Sequence, residues 1–416
     1  MAKQSKKQLL LAVSSLGMGN LASSIFSFCL SLYTLQKTGS SLVFSTILLI
    51  NPVIKLLFTP LVGYTVDKYH HKKIAIGAQL VSIVLDVIFL SLIELLSLNE
   101  QILLIALAVI GLSLADCFQE TSYKASTKSF VAEEYCQKLI GYEQVVTAGT
   151  AILAPILGGV VFSWLELNWV TIIELIGEVV SLLLISMIDF YLVEQRQSSH
   201  LSSIKESFKA GINYIRQDKN LLDLLLFAVF ANFSLGSIEV GLPVIMVKQL
   251  KLGSELYGMT TSCLAMGMLV ASLFLSKLNL NGAYLGFTGR NGVVLSIIFA
   301  IFAFIELVEN IYLITFILGL GMFLIGGILT MSNLPFAMYL RTQVAEDYQG
   351  RVGSTMSSLV SLLSPISFAI FGLLFNTLAS LWIFSFCGII LLIDSLFLLK
   401  KKTHLLAGCV FLASKN

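Results

Sequence analysis

The sequence predicts an all-α membrane protein, with twelve transmembrane helices in two pseudo-symmetric six-helix bundles. Three observations predict it. Apolar blocks long enough to cross a bilayer recur along the chain, lysine and arginine are spread unevenly between alternate loops, and a short peptide recurs at equivalent places in two halves.

The composition sets the class. Of 416 residues, 57% are hydrophobic and 12% are charged, where a soluble domain carries about 25% charged residues. Too little polar surface remains to cover a water-soluble globule of this size, so a soluble enzyme is excluded. The net charge of +2 says nothing about partners, and no nucleic acid is expected. The six cysteines (Cys29, Cys117, Cys136, Cys263, Cys387 and Cys409) lie far apart with no CxxC pair, which suggests neither a metal site nor a disulfide framework.

A span needs roughly 20 apolar residues. Spans are expected near 9–33, 41–64, 74–97, 102–124, 140–163, 170–192, 221–247, 256–276, 291–308, 311–333, 352–377 and 380–399. Each is expected to be a helix, because a lone spanning segment must satisfy its own backbone polar groups. Lys3, Lys6 and Lys7 before the first apolar run resemble a signal peptide. The run continues to Tyr33 without a clear small-residue cleavage site, and it reads as a retained first helix.

Cations orient the chain. With the N-terminus inside, 22 of the 26 lysines and arginines fall on the cytoplasmic side. Only Lys37, Lys248 and Lys251 fall outside, and Lys55 lies within span two. Both termini are therefore expected in the cytoplasm, in a multi-pass protein of the cell membrane. A longer polar connection with Arg196, Lys205, Lys209, Arg216 and Lys219 splits the chain. It divides a bundle at 1–193 from one at 221–400, with a cytoplasmic loop at 194–220 and a tail at 401–416.

Val131-Ala132-Glu133-Glu134-Tyr135 follows span four, and Val344-Ala345-Glu346-Asp347-Tyr348 follows span ten. Each precedes a span with a central proline, Pro155 or Pro365. Two parallel halves related by an axis along the membrane normal are one known transporter architecture.

The loop after span two reads Gly63-Tyr64-Thr65-Val66-Asp67-Lys68-Tyr69-His70-His71-Lys72-Lys73. Gly63 lets helices approach, Asp67 offers an acceptor at the membrane edge, and Lys68, Lys72 and Lys73 hold the loop at the inner surface. The pattern G-x-x-x-D-[RK]-x-x-x-[RK]-[RK] resembles the signature loop of the major facilitator superfamily. That resemblance implies a conformational gate, in which Asp67 meets the start of span eleven at Gly350 and Arg351. A carboxylate there gains from exposed amides and the helix dipole. The other reading is an ordinary charged loop.

Ala154-Pro155-Ile156-Leu157-Gly158-Gly159 in span five is similar to the G-P-x-x-G-G element of drug and proton antiporters, with Ala154 replacing the family glycine. Pro155 removes a donor and can bend the helix, while Gly158 and Gly159 permit close contact. Segments around Lys37-Thr38-Gly39-Ser40-Ser41, Gly141-Tyr142-Glu143-Gln144, Arg216-Gln217-Asp218-Lys219 and Gly350-Arg351-Val352 make the chain resemble the macrolide-efflux branch. The resemblance implies proton-driven export of amphipathic compounds and leaves the substrate open.

An ionisable group within a span is a functional candidate. Asp116, Glu120 and Lys124 follow one another at i, i+4 and i+8 on span four, on one helical face. The arginine that many drug antiporters carry higher on this helix is absent, and Asp116 and Glu120 are candidates to exchange protons in its place. The alternative is an acid–lysine ladder. Glu174 and Glu178 repeat the spacing on span six. Asp86 on span three and Glu239 on span seven, the latter after Asn232 and before Pro243, are further coupling or substrate candidates. By resemblance, spans three and six pack peripherally, which leaves Asp86 and Glu178 a structural alternative. Asp223 and Asp394, near helix ends, read as solvated.

Phe26, Phe28, Tyr33, Phe230 and Phe233 fall on spans one and seven, which line the central cavity in similar transporters. The glycines of span ten (Gly319, Gly321, Gly326 and Gly327) suggest close packing. No phosphate-binding G-x-x-x-x-G-K-[ST] occurs, so no ATP site or other cofactor is expected, and the resemblance implies the proton gradient as the energy source. The expected partners are membrane lipid and a small-molecule substrate, with the protein a monomer. Alternatives are uptake or lipid flipping on the same scaffold, or a non-transporting sensor or scaffold.

Overall fold

The structure is a computed structural model that describes residues 2–130, 133–190, 204–275 and 283–413. All regular structure among these residues is helical. In chain order the helices are α1 (Ala2–Thr38), α2 (Ser41–Lys68), α3 (His71–Leu92), α4 (Leu98–Phe130), α5 (Glu133–Trp164), α6 (Leu167–Ser186) and α7 (Ile204–Gln217). There follow α8 (Lys219–Pro243), α9 (Ser254–Leu275), α10 (Tyr284–Ala303), α11 (Ile311–Gln343), α12 (Glu346–Ser361), α13 (Leu363–Thr377) and α14 (Ser380–Ala413). Twelve of the resulting stretches are long and apolar enough to cross a membrane, α12 and α13 counting as one and α7 as none.

Local chemistry explains the joints. Gly39, at φ +62°, turns the chain between α1 and α2, and the Ser40 hydroxyl caps α2 by accepting from the Val43 amide at 3.4 Å. Asp218 caps α8 and Asn310 caps α11 in the same way. Span eleven breaks at Leu362, between α12 and α13. Pro365 has no N–H to offer the Ser361 carbonyl, so the α-helical ladder cannot run through. Past Pro243, α8 widens into a π-helical turn at Val244–Gln249.

The chain forms two compact units. The first comprises Met1–Ser199 with Met246–Ser262. In it α1 packs against α5 and α6, and α3 against α4 and α6. Phe26 meets Phe89 edge-on at 5.7 Å, in a core with Cys29, Leu30 and Ile105. The second comprises His200–Ile245 with Cys263–Asn416. There α10 packs against α14, and Phe299, Phe302 and Phe375 surround the Phe384 ring.

Three features differ from the sequence expectation. First, α10 begins at Tyr284 rather than near 291. Thr288, Arg290 and Asn291 interrupt the apolar run, yet the helix persists because Gly289 and Gly292 seat it against Leu399 and Ser395 of α14. Second, the connection at 194–220 is described only from Ile204, and there it holds α7. The ring of Tyr214 lies 5.2 Å from that of Tyr348, Ile215 is buried, and Gly211 lies against α12. Third, Asp223 is not solvated. It is buried and paired with Lys401, and Oδ2 of Asp394 is buried too. The pentapeptides at 131–135 and 344–348, and the tail beyond Lys401, lie partly outside the described residues.

Candidate functional site

Helix α2 presents two accessible sets of side chains to its surroundings. Leu57, Leu61 and Tyr64 form one, and they are apolar. Asn51, Lys55 and Thr59, at i, i+4 and i+8, form the other and are also exposed. At 100° per residue the two sets lie about 200° apart around the helix. A lysine in mid-span is too costly to leave in hydrocarbon. Leu56 and Pro60, also exposed, lie between the two sets around the helix, so polar and apolar residues share one accessible arc, within which Lys55 calls for water or a charged partner.

Glu120 of α4 completes that polar wall. Lys55 Nζ lies 3.2 Å from Glu120 Oε2, and each side chain is 45% exposed. The span-two lysine thus has an acidic partner that spacing alone did not assign. Asp116, one turn away on α4, is half-buried and within electrostatic reach of both Lys55 and Glu120. The Lys124 side chain lies outside the described residues.

Behind this wall lies a buried polar network. The Ser23 hydroxyl of α1 is 2.8 Å from Glu174 Oε1 and 3.2 Å from Glu178 Oε1, both on α6. Gln79 of α3 donates through Nε2 to the Glu178 carbonyl at 3.1 Å and to Glu178 Oε2. Its own Oε1 accepts from Gln119 of α4 at 2.6 Å. Asp86 of α3 is fully buried, and among the described residues neither of its carboxyl oxygens has a hydrogen-bond partner. Glu174 Oε2 is likewise buried and unpartnered. The charged neighbours of Glu174 are Glu178, Asp86 and Asp116. A bare carboxylate in such a place costs several kcal/mol.

The two candidates on α8 belong to the second unit. Asn232 and Glu239 are seven residues apart and share a face. Asn232 donates to its own helix at the Ala228 carbonyl, 2.9 Å away, while Glu239 is exposed. Pro243 has no N–H for the Glu239 carbonyl, and the π-helical turn begins directly after it.

The residues at 63–73 divide by role. Lys72 Nζ donates to the carbonyls of Ser186 and Ile188 at 2.9 and 2.7 Å, closing the end of α6. His71 Nδ1 meets the Ser126 hydroxyl at 2.8 Å, which ties α3 to α4. Lys68 and Lys73 are exposed. A methyl group added at Gly63 would meet nothing within 4 Å, so the close approach expected there is absent. Val62 and Val66 turn inward against Cys117 instead. The Asp67 side chain lies outside the described residues. Arg351, on α12, is exposed, with its guanidinium 5.6 Å from the Tyr348 ring centre.

The glycines of span five make close contacts. A Cβ on Gly158 would lie 2.8 Å from the Phe28 ring, and one on Gly159 would lie 2.5 Å from the Ser254 carbonyl oxygen. A Cβ on Gly258 would strike the Pro155 carbonyl. The hydroxyls of Ser163 and Ser254, 3.0 Å apart, fasten this seam, which lies within the first unit. Helix α5 runs unbroken through Pro155.

A family model described as Major Facilitator Superfamily matches residues 10–367. The chain belongs to this superfamily. It is 25% identical over 354 residues to macrolide efflux protein A of Streptococcus pyogenes, covering 83% of this chain and 84% of that protein. It is also 25% identical over 318 residues to macrolide efflux protein A of Enterococcus faecalis, covering 74% and 94%. Two solved structures share the fold. A bacterial homologue of the iron transporter ferroportin, in an inward-facing state, aligns with a TM-score of 0.68 at 16% identity, over 96% of this chain and 99% of that one. The nucleoside transporter NupG aligns at 0.70 and 12% identity, over 95% and 98%.

Sequence reasoning picked out Lys55, Asp86, Asp116, Glu120, Glu174 and Glu178 because each is ionisable within an apolar block. It missed Ser23, Asn51, Thr59, Gln79 and Gln119. Two signals were present: the i, i+4, i+8 spacing of Asn51, Lys55 and Thr59, and the seven-residue step from Gln79 to Asp86.

Proposed function

We propose that this protein exports amphipathic small molecules across the cell membrane in exchange for protons. The observation that carries the reading is the accessible pair Lys55–Glu120, set in the middle of two apolar spans. A charged pair held in water inside a transporter's span is suited to meet a solute with polar groups and an apolar body. The curated relatives named as macrolide efflux proteins support export and an amphipathic substrate class. The cation asymmetry of the loops supports a cytoplasmic location for both ends. Asp67 acts as the gate, meeting Arg351 and the start of α12 in one state of the cycle and leaving them in the other.

A compound-accumulation screen tests the reading, in cells with and without the protein and with and without a protonophore. Protein-dependent loss of a compound that the protonophore abolishes is the expected result. Protein-dependent accumulation means uptake, and no difference across a broad panel removes the transport reading.

A further inference from the structure

The network behind the polar wall carries a more specific assignment, which rests on the proton-exchange reading above. Its geometry favours a bound proton. A single hydroxyl on Ser23 stands within hydrogen-bond distance of carboxyl oxygens on both Glu174 and Glu178. That hydroxyl has one proton to donate, and its shorter contact, 2.8 Å, is to Glu174. The 3.2 Å contact to Glu178 is then either a weak share of that same O–H or, more favourably in a site without cations, a bond donated to Ser23 Oγ by a protonated carboxyl.

Among the described residues, no cation is found beside Glu174 and Glu178 to balance a second negative charge. From the helices packed around α6, the titratable groups that reach Glu174 and Glu178 are Asp86 of α3 and Asp116 of α4, both acidic. From helix α1 the Ser23 hydroxyl reaches Glu174 and Glu178. Lys55 of α2 acts on Asp116, at the wall. Asp86 is the second, independent sign: it is fully buried among these helices, and both its oxygens are unpartnered among the described residues.

We infer that Glu174 and Glu178, bridged by Ser23 and with Glu178 held by Gln79, form with Asp86 an internal proton-binding site of the first unit, distinct from the substrate-facing pair Lys55–Glu120. Asp116 stands between the two, within electrostatic reach of Lys55 and Glu120 on one side and of Asp86 and Glu178 on the other. In the transfer, a hydronium ion gives its proton to the ionised Asp116 carboxylate and leaves as water. The Asp116 O–H bond then breaks as a new one forms on a buried carboxylate, and no oxidant or reductant takes part. The occupant here is a proton rather than the exported compound, because Glu174, Glu178 and Asp86 are all buried.

Infrared difference spectroscopy on the purified, lipid-reconstituted protein tests the assignment without any transport assay. The wild type is expected to show protonated-carboxyl C=O absorption at neutral pH that shifts in heavy water. Glu174→Gln and Glu178→Gln, which keep the shape and accept the same Ser23 bond, are each expected to reduce it. A pH jump should release about one proton fewer from either variant than from wild type, since one titrating group is gone. Unfolding temperature and monodispersity establish that the variants fold. Were either to misfold, the Ser23→Ala protein should still show an altered band frequency. Wild type with only ionised carboxylates at neutral pH, or folded variants with unchanged bands and proton release, would overturn the assignment. Wild-type bands as expected, with no protonophore-sensitive export in cells, would instead retire the export reading and leave the proton site standing.

Discussion

Lys55 Nζ on α2 lies 3.2 Å from Glu120 Oε2 on α4, with both side chains almost half exposed. A pair so accessible contributes little to folding, about 0–1 kcal/mol. Its effect should therefore fall on transport. Lys55→Ala and Glu120→Gln are each expected to lower compound export several-fold while leaving unfolding temperature in detergent nearly unchanged. A double-mutant cycle of initial export rates measures their coupling, and full additivity would remove the pair from the substrate path.

Two glycines give opposite expectations for the same change. Gly159→Ala places a methyl 2.5 Å from the Ser254 carbonyl, whereas Gly63→Ala meets open space. The first should cost about 1–3 kcal/mol through overpacking, and the second close to nothing. Denaturant titration of the two variants side by side decides it. Equal stabilities would mean that the seam between α5 and the start of α9 is looser than described.

The gate reading concerns movement rather than folding. Asp67→Asn keeps the size of the side chain and removes its charge. Membrane insertion and yield should match wild type, and export rate should fall at least several-fold. The check is export per inserted molecule, and a wild-type rate would assign 63–73 to orientation alone.

Helix α7 is held on α12 through Gly211, where a Cβ would come within 2.8 Å of the Arg351 carbonyl. Gly211→Val should loosen that seat and speed limited proteolysis of the connection between the halves. Unchanged cleavage kinetics would contradict the packing.

Much of this was legible in the sequence, for physical reasons. Span number follows from apolar blocks, because nothing but a helix lets a lone segment cross hydrocarbon. The ionisable candidates stood out because a charge in such a block is costly. What stayed hidden depends on partners. Ser23 and Gln79 are unremarkable in an apolar run until α1, α3 and α6 bring them to Glu178. The early start of α10 rests on glycines seated against α14, a tertiary contact that outweighs the local polarity of Thr288 and Arg290. Helix α7 lay in a segment whose cations dominated the reading, although Phe208, Ile212 and Ile215 already traced an apolar stripe.

Coupled exchange can be watched directly in vesicles that contain only this protein and an exported compound identified in the cellular screen. With a pH gradient imposed and a pH dye inside, compound movement should be accompanied by proton movement the opposite way, in fixed ratio, and Glu178→Gln should weaken both together. Compound flux that ignores the gradient and moves no protons would contradict the account.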